Sequence, residues 1–284
     1  MIPRIPRTVH LVFLDFGNDM SVEWANNVTL WMNWAKQNVD WNLKLWGDKE
    51  KWPSDYKEQV IDPLNLFNMD TYKGYKSTYD AYVNKVERAD FIRYMILHQF
   101  GGVYSDMDVH PATEDVKFDS LLQTYEQFDY VKTIWAESSN VRGVVTNSFF
   151  ASDIGANFLI TILEEAVRRS GWTYSTRHAG IMYRTGPMLV TDLRTQATRA
   201  NKLIPSTLLW PCDGCGFCTF DGLQLLTNNH AGSWHGADTR IINNFHCFTQ
   251  RFSNVPVYTW VGLTSGMFIT IFILVVLLII FITL

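Results

Sequence analysis

KVERADFIRYMILHQFGGVYSDMDVHP, running from Lys85 to Pro111, changes from a helical to an extended pattern midway along its length. Val86, Ala89, Phe91, Ile92, Met95, Ile96 and Phe100 recur at helical spacing and supply a broad apolar face. Gly101-Gly102 stops the helix, because glycine accepts the left-handed backbone that a helix C-terminus often needs. Val103 and Tyr104 then begin a strand that leads to Asp106 and Asp108. In an extended chain, residues two apart point to the same side. Two carboxylates are therefore expected together at a strand end, where a hard divalent cation could bridge them to a phosphate. Asp90 and Arg93, three apart, share one face of the preceding helix.

The flanking sequence extends this alternation. Thr8–Leu14 is a nearly continuous apolar run and reads as a buried strand. Ser21 is a suitable N-cap for a helix over Val22–Lys36, and Trp41–Trp46 alternates as a second strand. The segments KWPSD and IDPLN break the chain into short turns, and Tyr72–Tyr82, rich in tyrosine and lysine, reads as a partly exposed loop near the site. Downstream, Phe118–Gln127 and Asn157–Arg169 read as helices, the latter with Phe158, Ile162 and Val167 facing inward. Gly186-Pro187 opens a further helix, with proline at an early position where its missing N–H does no harm. Tyr130–Trp135, Asn147–Ser152 and Leu203–Pro211 read as strands. Strands alternating with helices at this density predict an α/β domain with a mixed sheet over residues 1–252.

Composition narrows the function. The chain has 284 residues, a formal net charge of −4 and no cluster of lysine or arginine, so it lacks the basic footprint that nucleic-acid binding needs. The N-terminus has no long apolar run of the kind a secretory signal carries. After Arg251 no charged residue appears, and Phe268–Leu284 is almost purely aliphatic and aromatic. A bilayer core is spanned by a helix of roughly 20 apolar residues. A transmembrane anchor is therefore expected over residues 257–284, with Tyr258 and Trp260 at its interface. Arg251 on the near side favours a cytosolic catalytic domain.

Within the central segment, RADFIRYMILHQFGGVYSDMDV resembles the donor-sugar-binding region of glycosyltransferase family 32. Other stretches match that family in order: IPRTVHLVF its opening strand, NSFFAS its mid-domain strand, TGP its next helix start and NHAGSW its closing His/Ser-Trp motif. The family includes fungal α-mannosyltransferases and the catalytic subunits that mannosylate inositol phosphorylceramide. Clostridial glucosylating toxins carry a similar block. The resemblance implies a GT-A type fold, a nucleotide-sugar donor, a divalent metal and retention of anomeric configuration. By the same resemblance Asp108 would bind Mn²⁺ or Mg²⁺, and Asp106 would contact the ribose or the metal. Asp90 and Arg93 would hold donor sugar hydroxyls and a phosphate, the plain alternative being an ion pair on one helix face. Arg93, Asp106 and Asp108 would form the catalytic group. Tyr104 would contact the donor, and Phe13 would stack on its base, each with an ordinary core role as the alternative. His230 would complete the metal site and Trp234 would reach the diphosphate, with His235 a weaker candidate than His230. No residue identifies itself as a nucleophile.

The donor implied is GDP-mannose, with a UDP-hexose as alternative. The acceptor expected for a membrane-tethered domain is a glycolipid or sphingolipid in the Golgi or ER, with a protein-linked glycan as alternative. A regulatory membrane subunit would be a further partner, and a non-catalytic anchored subunit is the rival from outside the enzymes. Haloacid-dehalogenase-type phosphatases also carry two aspartates after a strand, but follow them with Thr or Val two places on. Here that place is His110 and the motif lies far from the chain start. Cys212, Cys215 and Cys218 lie at C-x₂-C-x₂-C spacing, with Cys247 beyond. Four thiolates could hold a structural zinc, and two disulfides are the alternative. The close spacing with intervening glycine favours zinc narrowly. This cluster departs from the family pattern.

Overall fold

Val9, Leu11 and Phe13 face one side of the first strand and Val12 the other, and all four are buried, so the strand must lie between two covering layers. That is the organising feature of the computed structural model, which describes residues 4–14, 19–139, 143–210, 212, 215, 224–228 and 237–252. The chain order is β1 (Thr8–Phe13), α1 (Val22–Gln37), β2 (Asn42–Gly47), β3 (Val60–Ile61), α2 (Lys76–Ala81), α3 (Lys85–Phe100), β4 (Gly102–Ser105) and β5 (Val109–Pro111). There follow α4 (Phe118–Glu126), β6 (Thr133–Glu137), β7 (Val145–Ser152), α5 (Asn157–Arg169), α6 (Arg177–Arg184), α7 (Pro187–Thr195) and β8 (Asn201–Ile204). The last described elements are α8 (Ser206–Leu209), β9 (Leu226–Asn228) and α9 (Ala237–Phe252). Two compact units result, one from Met1–Trp172 with Ile181–Trp234, the other from Thr173–Gly180 with His235–Leu284.

The first unit is built on a seven-stranded sheet in the order β3-β2-β1-β4-β7-β6-β8. β1, β2, β3 and β4 are parallel, and β6 pairs in parallel with β8. β7 alone runs antiparallel, between β4 and β6. All the other strands therefore end on one edge, where open α/β sheets bind ligands. On one face α1 and α4 contribute Val28, Trp31, Trp34, Phe118 and Leu122 to the core. Trp31 and Trp34 meet edge-on at 5.4 Å, and Trp34 meets Trp41 at 5.2 Å, so the aromatic richness of the sequence is spent here. The opposite face is covered by α3, α5 and α7. A separate antiparallel ribbon joins β5 to β9.

α3 is buried on nearly all sides, including Glu87, Asp90 and Arg93, rather than along the apolar face alone. It ends as the sequence predicts. Gly101 and Gly102 have φ of +60° and +93°. A Cβ on Gly102 would stand 2.5 Å from the Thr8 carbonyl oxygen, a backbone atom that cannot give way. Gly102→Ala is therefore expected to lower stability by about 1–3 kcal/mol or more, seen as a lower urea midpoint. An unchanged midpoint would remove the conformational argument.

Several expectations are corrected. Tyr72–Tyr82 is partly exposed as expected but is no loop: Lys76–Ala81 forms α2, and Tyr72, Tyr79 and Tyr82 are buried, with the Tyr72 hydroxyl 2.6 Å from His98 Nδ1 and the Tyr82 hydroxyl donating to Ala166 O at 3.1 Å. Tyrosine reads as polar in sequence, but its ring packs as core once the hydroxyl finds a partner. α5 buries Leu159, Ile162, Leu163 and Ala166, so its inner face is centred beside Phe158 and Val167 rather than on them. The strand expected to reach Pro211 stops at Ile204, and Pro205 gives way to the short α8. Cys212, Cys215 and Cys247 are disulfide-bonded, which corrects the preference for zinc, since a sulfur in a disulfide is no thiolate ligand. Cys218 lies outside the described residues, as does the anchor expected over 257–284. Among the described residues no helix is long and apolar enough to cross a membrane.

Candidate active site

Arg93 stands at the centre of the site. Its position on α3, one turn after Asp90, brings Nη2 within 3.2 Å of Asp90 Oδ1. Nη1 reaches Asp106 Oδ1 at 2.8 Å and donates to the Asn147 carbonyl at 2.9 Å. The guanidinium also lies over the Tyr104 ring, 4.5 Å from its centroid. The Tyr104 hydroxyl donates to the same Asp106 oxygen at 2.5 Å. Asp90 is held from the other side, by Asn147 Nδ2 on Oδ1 and Thr185 Oγ1 on Oδ2, both at 2.9 Å. Tyr94 closes the network, donating to Thr185 O at 2.7 Å and accepting from Asn147 Nδ2 at 2.9 Å.

This network is dry except at one point. Asp90 and Arg93 are 3% and 5% exposed, whereas the Asp106 side chain is 28% exposed. Asp106 is thus the group through which the buried pair meets solvent. Burial pushes the Asp90 carboxyl up to about 6, and the Asp106 charge adds to this, against the opposing pull of Arg93, Thr185 and Asn147. Burial also raises Asp106, against Arg93 and the Tyr104 hydroxyl. Arg93 is held above its ordinary value despite its burial, because Asp106, Tyr104 and Asp90 surround the charge.

A carboxyl with a raised folded-state pKa binds its proton more tightly folded than unfolded, so its contribution to stability falls as pH rises through the window between about 4 and 6. The slope is on the order of 1 kcal/mol per pH unit. Asp90→Asn is expected to flatten that decline, measured as urea midpoints across the window. A variant whose midpoints keep the wild-type slope would show that Asp90 does not titrate there.

Asp106 and Asp108 are not aligned by strand alternation, which is a second correction. β4 ends at Ser105, and Asp106-Met107-Asp108 forms a turn in which Val109 N donates to Asp106 O at 3.1 Å. Asp106 N donates to Ser148 O on β7 at 2.8 Å. Two side chains of α1 hold the rest: Asn27 Nδ2 donates to Met107 O at 3.0 Å, and Trp31 Nε1 to Val109 O at 2.8 Å. Asp108 stands half-buried within this turn. Asn27, Asn147 and Thr185 were not singled out by sequence reasoning. Asn147 and Thr185 each open a stretch that matches the family, NSFFAS and TGP, but neither stretch marks its first residue as a partner of Asp90.

Phe13 ends β1 with its ring 2% exposed, edge-on to Trp24 at 5.6 Å and to Trp52 at 6.2 Å. His230, Trp234 and His235 lie outside the described residues. Among the described residues no group of three or more His, Cys, Asp and Glu is placed to hold a metal. A small hard cation needs fewer protein ligands than that: Mg²⁺ is commonly held by one or two carboxylates plus substrate phosphate and water.

The mixed sheet, parallel except for one inserted strand, resembles that of GT-A type glycosyltransferase domains. The PaToxG glycosyltransferase superimposes with a TM-score of 0.51 at 16% identity, covering 68% of this chain and 70% of that one. The UDP-bound glycosyltransferase domain from the YGT toxin does so with a TM-score of 0.50 at 11% identity, covering 87% and 90%. Likeness at such identity speaks for the fold. Residues 24–128 match the family described as glycosyltransferase sugar-binding region containing DXD motif. That match covers the central part of the chain, Arg93, Asp106 and Asp108 included, and agrees with the resemblance to family 32.

Its relatives include two proteins of Schizosaccharomyces pombe. Inositol phosphoceramide mannosyltransferase 3 is 24% identical over 186 residues, which is 66% of this chain and 44% of that protein. Inositol phosphoceramide mannosyltransferase 2 is 28% identical over 181 residues, 62% of this chain and 48% of that protein. The chain spans about half the length of these relatives.

Proposed function

We propose that the chain is a retaining hexosyltransferase, moving mannose by preference from a nucleotide-diphosphate sugar to a membrane-associated acceptor such as a sphingolipid. The observation that carries this is the join between the DXD turn and the buried Arg93 network at the carboxyl edge of the sheet. A solvated acidic loop would not be tied on three sides to a buried guanidinium, an asparagine of α1 and a neighbouring strand. The mannose and sphingolipid preferences rest on what the relatives are named for, and retention on the family resemblance.

In this reading Asp108 is the principal carboxylate for Mn²⁺ or Mg²⁺. Asp106, whose Oδ1 accepts from Arg93 and Tyr104, is the second. Carboxylate oxygens are the donor type that such hard cations prefer. When bound, the cation neutralises charge growing on the diphosphate leaving group. Asp90 and Arg93 have their polar atoms engaged within the protein and act by fixing where Asp106 points. Tyr104 limits the same carboxylate from below. Asn27 and Trp31 hold the turn rigid, so that little reorganisation accompanies the reaction.

The test is a donor screen on the purified chain with Mn²⁺. GDP-mannose, UDP-glucose and UDP-galactose are each supplied with and without inositol phosphorylceramide, and release of the nucleoside diphosphate is followed. Release from one donor, faster with the lipid, is expected. Silence with every donor would instead support a non-catalytic anchored subunit.

A further inference from the structure

The DXD turn occupies the ends of β1 and β4, yet the same sheet edge continues beyond β7 to the ends of β6 and β8. A cavity of about 640 Å³ opens there, lined by Glu137 at the end of β6, by Leu203 near the end of β8, and by the residues that follow each strand. This falls within the roughly 300–1,000 Å³ usual for small-ligand sites. The strand register relates it to the donor half. Asp106 N is bonded to Ser148 of β7, and Glu137 pairs with Val145 of the same strand. Three residues of extended chain separate the two points, about 10 Å along the strand. β4 and β6 flank β7 on opposite sides, about 10 Å apart across the sheet, so the cavity lies on the same edge at about 14 Å from the turn.

Its lining is specific in chemistry. The Glu137 carboxylate is fixed by backbone donors, Oε1 accepting from Gly143 N at 2.6 Å and Oε2 from Ser206 N at 3.4 Å. A carboxylate held in this way keeps further lone pairs for hydroxyl donors. Ser138, Ser206 and Thr207 add hydroxyl groups, which can both give and accept hydrogen bonds, while Leu203 and Pro205 form an apolar wall. No basic or aromatic side chain lines the cavity among the described residues, so it offers nothing to hold a phosphate or to stack a base. A polyol ring suits it, with hydroxyl groups at its rim and C–H bonds on its faces.

We infer that this cavity is the acceptor subsite and takes a neutral polyol ring, a pyranose or a cyclitol. The inference rests on the transferase reading for its place in the reaction, but ring binding itself can be measured without turnover. The full chain is prepared in a detergent that has no sugar headgroup, and saturation-transfer NMR is recorded with methyl α-D-mannopyranoside and with myo-inositol. Signal from at least one ring is expected, and which ring gives it separates the glycan source from the cyclitol source. Thr207→Trp, at an exposed rim position, should abolish that signal. Glu137→Gln should weaken binding roughly tenfold, as loss of a charge-assisted hydrogen bond predicts. Thermal melts establish that each variant is folded, and if Thr207→Trp is not, Glu137→Gln decides. Absence of signal from both rings in the wild type, or a signal unchanged by the folded variants, overturns the inference. A silent donor screen with intact ring binding would instead overturn the transferase reading and leave the cavity as a polyol site.

Discussion

Asp108→Asn is expected to slow turnover of the nucleotide-sugar donor by about 10²–10³-fold, the usual loss when one preorganised electrostatic partner of a developing charge is removed. Asparagine keeps the shape of the side chain and takes away its charge. Asn27 and Trp31 hold the turn around it through the Met107 and Val109 carbonyls, and those two bonds are untouched by the substitution. In the proposed reading, what falls is affinity for the cation. Part of the lost rate should therefore return as Mn²⁺ is raised, which a purely structural defect would not show. The measurement is donor turnover against Mn²⁺ concentration for both proteins. Equal rates at every concentration would remove Asp108 from the metal site.

Arg93→Met should be the more damaging change for folding. The guanidinium is buried and serves Asp90, Asp106 and the Asn147 carbonyl together. Removing one partner of a buried ion pair typically costs about 3–5 kcal/mol, because the other charge is left without compensation. Here the cost depends on pH. Asp90 is already pushed up to about 6, and losing Arg93 removes its largest opposing influence, so the carboxyl of the variant escapes by taking up a proton. The variant should therefore lie closest to the wild type near pH 5 and furthest from it near pH 8, read as urea midpoints. Adding Asp90→Asn to Arg93→Met should recover part of the loss at high pH. A single variant with wild-type midpoints at both pH values would mean that the network is not a structural unit.

Donor turnover should fall in Arg93→Met as well, by a different route from Asp108→Asn. Asp106 would keep its hydrogen bond from Tyr104 but lose the cation that fixes its direction. Extra Mn²⁺ should not restore that rate, so the two variants separate a group proposed to bind metal from one that positions its neighbour.

Much of this was legible from residue order. β1, α1, α3 and the Gly101-Gly102 stop follow from apolar periodicity and from backbone rules that act over a few residues. The Asp90–Arg93 pairing was legible for the same reason, since helical spacing alone sets it. The geometry of Asp106 and Asp108 was not. Two residues apart can mean a strand or a turn, and the choice was made by hydrogen bonds from Asn27 and Trp31, about eighty residues upstream. Nor did the sequence show that Asn147 and Thr185 hold Asp90, because β7 and the end of α6 are brought to α3 only by the packed sheet.

The sequence by itself determined β1, α1, α3, the helix stop and the identity of the acidic pair, because these depend on local backbone preference and on side-chain chemistry carried by the residues themselves. Tertiary structure decided which strand runs antiparallel, that Asp106 alone of the buried network meets solvent, and that a cavity opens farther along the same edge. Those are relations between segments far apart in the chain. Strand direction, burial and register come from packing two faces of one sheet at once, and no single stretch of residues carries them.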